Sequence, residues 1–217
     1  MTFRSSSKRR LVVVLFLAFA VVLASIWYYG RSRPVTSYKG QPLTYSTSKP
    51  SETKPTSTNF TWKGDASDPK YIQLPSINSN GYVEKVGTDQ HHAVGVPDNV
   101  YMAAWFTLSQ PPGTRGLSII DGHVTGLHGP GIFRYLNKLK PGDTFNVTLG
   151  SGKVLNYVVA DNTSVPLDQV SSVLFSQDPK VKSQLNLITC SGQFDYQTHS
   201  YNQREIVTAK LTSPLQT

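Results

Sequence analysis

From Lys70 to the C-terminal end the chain is written in short apolar or alternating runs, none longer than seven residues, separated by segments rich in glycine, proline, asparagine and serine. The runs cover residues 70–74, 82–86, 101–106, 117–121, 144–149, 154–160, 185–189 and 205–211. Strands commonly run to about 5–6 residues, and short strands at regular spacing between turn signals close readily on themselves. The expected fold is therefore mainly β, an eight-stranded closed or nearly closed barrel. Leu149-Gly150-Ser151-Gly152-Lys153 reads as a hairpin turn between two of the runs. Helical signals are few. Residues 131–139 fit one or two turns ending before Pro141-Gly142, and residues 167–175 fit another short helix after Pro166.

The N-terminal third is of a different kind. Arg4, Lys8, Arg9 and Arg10 precede an apolar run from Leu11 to Tyr29 broken only by Ser25. A helix needs roughly 20 apolar residues to cross a bilayer, whereas a cleavable signal uses about 7–15. The length favours an uncleaved anchor over cleavage near Ala24-Ser25. With the basic cluster retained inside, the layout is a cytoplasmic tail (1–10), a transmembrane signal anchor (11–29), a Ser/Thr/Pro-rich extracellular linker (30–62) and a folded domain (63–217). Trp27, Tyr28 and Tyr29 would lie at the outer interface, giving a single-pass protein of the cell membrane with its domain outside. The linker composition cannot bury a core and is expected to be an extended tether.

The formal charge of +8 is no sign of nucleic acid once it is divided. Residues 1–62 hold nine lysines and arginines against Glu52 alone, and the remainder holds twelve charges of each sign. The basic excess belongs to the membrane flank and the linker, where it suits topology, anionic lipid or acidic wall polymers better than base recognition.

Cys190 is the only cysteine. In an exported chain it has no internal disulfide partner, so it is core filling, an intermolecular link or a nucleophile. An unperturbed thiol is only a few per cent thiolate at neutral pH and needs a base or cation nearby. His123, closing the buried-looking run that ends in Asp121-Gly122, is the leading base. Arg204, at the start of the last run, carries a permanent charge and several donors for an oxyanion. Thr189 either favours its strand through β-branching or supports the site by a hydrogen bond. Rival bases are His91, His92, His128 and His199. No metal or cofactor is expected: His91-His92 is an adjacent pair without companions, and Asp161, Asp168 and Asp178 are spread out.

Gly122-His123, the Phe133 to Asp143 stretch with Leu136, Leu139 and Gly142, Leu187-Ile188-Thr189-Cys190 and the late Arg204 together resemble the sortases. The wording of residues 122–133 and 187–195 is most similar to classes E and F, class F in particular. The resemblance spans about residues 71–211. It implies an eight-stranded barrel bearing a cysteine transpeptidase that cuts a Leu-Pro-x-Thr-Gly-like sorting signal after threonine. Cys190 would be the nucleophile, His123 the acid and base, and Arg204 the oxyanion donor. The implied partners are surface proteins with C-terminal sorting signals, and an amine acceptor such as a peptidoglycan precursor or pilin lysine. The reading from a different class is a non-catalytic barrel on a tether that binds a wall polymer or surface protein, with the thiol buried.

Overall fold

The computed structural model describes residues 49–88, 94–197 and 200–216. Eight strands, β1 (Pro69–Leu74), β2 (Ser79–Val86), β3 (Ala103–Phe106), β4 (Gly116–Gly122), β5 (Thr144–Leu149), β6 (Val154–Pro166), β7 (Ser183–Asp195) and β8 (Ser200–Leu211), close into a barrel. Their spatial order is β1-β2-β3-β4-β7-β8-β6-β5, with β5 returning to pair with β1. β2/β3 and β4/β7 are parallel, and every other pair is antiparallel. One short α-helix, α1 (Val170–Leu174), lies in the β6–β7 connection. The mainly β, eight-stranded barrel expected from the sequence is the fold observed.

Side chains alternate across each strand, and the barrel buries apolar residues on both faces where it is covered. Val83, Trp105, Ile120, Phe145, Tyr157, Leu185, Leu187 and Val207 belong to the larger cluster, which fills the inside. Ile119, Ile188 and Ile206, from the opposite face of β4, β7 and β8, join Phe106, Val165 and Leu174 in a second cluster. Residues 185–189 are an unbroken buried run because the β6–β7 connection covers their outer face. Each such fully buried large side chain contributes about 1.5–3 kcal/mol.

Several elements differ from the sequence reading. β6, β7 and β8 run on to Pro166, Asp195 and back to Ser200, because the β7–β8 hairpin keeps pairing through Phe194 opposite Tyr201. Arg204 accordingly lies inside β8 and does not begin it. Phe194 packs edge-on against both Tyr196 and Tyr201 across the hairpin, a contact that strand propensity does not register. The helical stretch expected over 131–139 reduces to a 3-10 turn at Leu136–Lys138. Its start is tied to the end of β4, since Phe133 N–H donates to His123 O at 3.0 Å and a Cβ at Gly131 would strike the same carbonyl.

The residues assigned to the end of the linker are attached to the barrel. Trp62 Nε1 donates to Val83 O at 2.9 Å, Phe60 packs on Tyr82, and Ser51 bridges to Asn99. The anchor at 11–29, and the linker up to residue 48, lie outside the described residues. Among the described residues no helix is long and apolar enough to cross a membrane.

Candidate active site

The parallel pairing of β4 with β7 sets Asp121 beside Ile188. One step further along, Thr189 Oγ1 donates to Gly122 O at 2.6 Å, and His123 and Cys190 are the residues that follow this tied pair in their two strands' directions. On its other side Cys190 is the direct cross-strand partner of Arg204. Cys190 and Arg204 thus face each other across two strands, and His123 directly follows the neighbouring strand β4. Only the β4/β7 pairing assembles them; without it, the order histidine, cysteine, arginine in the sequence has no spatial meaning.

Thr189 therefore ties the two strands together at the site. Gly122 is required there by close approach: a Cβ would lie 2.5 Å from the Phe133 ring.

His123 Nε2 donates to Pro97 O at 2.7 Å. That bond fixes the Nε2–H tautomer in the neutral ring and leaves Nδ1 for proton exchange. Burial pushes the His123 pKa down, opposed by the Pro97 hydrogen bond and the Asp98 charge. Burial pushes the Cys190 thiol up, with Arg204 lowering it and Asp121 raising it. Both shifts favour the uncharged forms of thiol and imidazole. Arg204 spends Nη1 on Tyr201 O (3.0 Å) and Gln203 O (2.8 Å). A guanidinium has five N–H groups in a fixed fork, so this holds the head in place and leaves other donors.

Cys190 is partly exposed and lines a depression of about 320 Å³ together with Thr189, Ser191, Arg134, Tyr201 and Glu205. Cys190 thus reaches the wall of that depression, unlike the fully buried Leu187 three residues earlier. Of the rival bases, His128 is exposed and bonded to Glu52, remote in role from Cys190. His91, His92 and His199 lie outside the described residues. Among the described residues no three His, Cys, Asp or Glu side chains are grouped to hold a metal ion.

Two carboxyls near the site were not singled out from sequence. Asp121 shares the outer face of β4 with the site, is only 8% exposed, and is held well above the usual carboxylate range by burial, with Arg204 opposing. Glu84 sits in the same register row, two strands away through Ala104. The signal for both was a lone acid inside an otherwise apolar run.

The fold is thus a closed, mainly β barrel that carries a thiol directly opposite a guanidinium on adjacent strands. The Sortase domain pattern matches residues 72–212, and the chain belongs to the sortase family. Family membership supports a cell-wall transpeptidase. Sortase C-1 from Actinomyces oris is 28% identical, with 67% of this chain and 75% of that one covered and a TM-score of 0.49. Sortase A from Corynebacterium diphtheriae is 24% identical over 70% of this chain and 63% of its own, with a TM-score of 0.50. Sortase C-3 from Streptococcus pneumoniae is 23% identical over 71% and 67%, also with a TM-score of 0.50. These last two share the fold. No curated protein matches the chain.

Proposed function

We propose that the chain is a membrane-anchored sortase of the class E/F kind, class F in particular, acting on surface proteins that carry a Leu-Pro-x-Thr-Gly-like signal. The observation that carries this reading is that Cys190 stands directly opposite Arg204, is tied through Thr189 to the strand end that leads into His123, and lines an open depression. The Cys190 thiol passes its proton to His123, and the thiolate attacks the threonine carbonyl carbon, forming a C–S bond and a tetrahedral oxyanion that Arg204 donors stabilise. His123, as imidazolium, gives its proton to the departing glycine nitrogen as the C–N bond breaks, leaving a thioester. An incoming amine then loses a proton to His123 and forms the new amide as the C–S bond breaks, and the released thiolate takes that proton back from His123. The acceptor would be a peptidoglycan precursor or a pilin lysine.

Residues 11–29 are read as the uncleaved anchor, 1–10 as a cytoplasmic tail and residues from about 63 onward as the catalytic domain outside the membrane. External protease on intact cells should remove the domain and leave a short membrane-bound fragment; full protection would overturn this orientation. For the chemistry, Cys190→Ala should abolish cleavage of a Leu-Pro-x-Thr-Gly peptide and the thioester adduct in a mass spectrum. Cleavage at the wild-type rate by the alanine variant would remove Cys190 from the nucleophile role.

A further inference from the structure

The peptide unit between Pro97 and Asp98 is held at both polar ends. Its carbonyl oxygen accepts from His123 Nε2 at 2.7 Å, and its N–H donates to Glu84 Oε1 at 2.6 Å. The two ends belong to one planar, resonance-coupled group. The Glu84 carboxyl and the His123 imidazole are therefore joined through a single peptide, although they come from different strands. Glu84 is half-buried on β2, between the core residues Val83 and Val86, and its register row runs through Ala104 to Asp121, one residue before Gly122-His123.

We propose that Glu84 is a positioning residue for the reaction at Cys190, acting through the Pro97–Asp98 peptide to hold His123 in its Nε2–H form and to favour its protonated state. The inference rests on reading His123 as the proton carrier. A carboxylate accepting from the peptide N–H polarises the unit and makes its carbonyl oxygen a better acceptor. An imidazolium is a stronger donor than an imidazole, so the gain is larger after His123 gains a proton. This offsets part of the burial that otherwise pushes His123 down. Burial holds Glu84 at about 7, with the Asp98 charge adding to the rise and the Asp98 N–H bond opposing it. The carboxylate is thus present from neutral pH upward. The charged group acting on it is Asp98 on the loop, while Asp121 shares its register row through Ala104 and is itself opposed by Arg204.

Two substitutions separate charge from position. Glu84→Gln keeps an oxygen able to accept from Asp98 N–H but removes the charge, while Glu84→Ala removes both. The readouts are the ring 1H–15N signals of His123 against pH, the melting temperature, and kcat and KM on a Leu-Pro-x-Thr-Gly peptide. In Glu84→Gln the melting curve stays cooperative, the His123 titration midpoint moves down, and kcat falls about 3- to 10-fold with KM within about 2-fold. In Glu84→Ala the ring signals also show a mixture of tautomers, and kcat falls further. A His123 titration superimposable on wild type in both variants overturns the proposal, whatever the activity does. The ring signals are read without turnover, so absence of peptide cleavage by the wild-type protein would count against the transpeptidase reading and leave this test intact.

Discussion

Cys190 and Arg204 stand directly opposite each other on β7 and β8, so the guanidinium lies beside the thiol whatever the neighbouring loops do. Its Nη1 is anchored on the Tyr201 and Gln203 carbonyls at 3.0 and 2.8 Å, which aims the fork. Lysine in its place would keep the charge and lose the planar fork and its anchoring. Arg204→Lys should lower kcat about 10²- to 10³-fold with little change in melting temperature, as removal of an oxyanion donor does elsewhere. Wild-type kcat in steady-state peptide cleavage would rule out the oxyanion role.

Asp121 opposes Arg204 at the thiol. Its charge raises the Cys190 pKa while that of Arg204 lowers it. Asp121→Asn keeps the shape and removes the anion, so the apparent thiol pKa should fall and alkylation by iodoacetamide at mildly alkaline pH should quicken, by about 3-fold or more. An alkylation profile against pH identical to wild type would mean that Asp121 stays neutral throughout and does not set the thiol.

The barrel was legible from residues 70–211 because turn residues punctuate strand-length runs, and that signal is local. The candidate triad was legible as residue types in order. Its assembly was not, since β4 and β7 lie far apart in the sequence and pair only through a crossover containing β5 and β6. Glu84 escaped notice for a related reason: an acid in Tyr82–Val86 looks like a solvent-facing strand residue until the Pro97–Asp98 loop folds over it. The attachment of Trp62 was hidden by composition, because one aromatic anchor in a Ser/Thr/Pro-rich stretch does not change its average.

Thr189 carries a cross-strand bond between the two halves of the site, with its hydroxyl donating to Gly122 O at 2.6 Å while only 3% exposed. Thr189→Val is nearly isosteric and leaves that buried carbonyl without its side-chain donor, which should cost about 1–3 kcal/mol. Thr189→Ser restores the hydroxyl. Urea unfolding should rank the three as wild type, serine, valine, and the valine variant should also lose kcat as His123 and Cys190 drift apart. Equal midpoints for all three would show that the bond contributes nothing to holding the strands in register.

Glu84 makes stability depend on pH in a direction opposite to an ordinary salt-bridged acid. Its folded pKa of about 7 lies above the unfolded value of 4.5, so its contribution is fully present below the unfolded value and is lost as pH rises through about 7. His123 has the reverse slope: its folded pKa is depressed, so stability is lost as pH falls below the ordinary histidine value of about 6.5. Glu84→Gln removes the first dependence and largely retains the second. The melting temperature of Glu84→Gln relative to wild type should therefore rise between about pH 5 and about pH 8, because only wild type must ionise a half-buried carboxyl in that window. Differential scanning calorimetry across that range reads the difference directly, and a constant offset would mean that the Glu84 carboxyl ionises in the folded chain as readily as in the unfolded one.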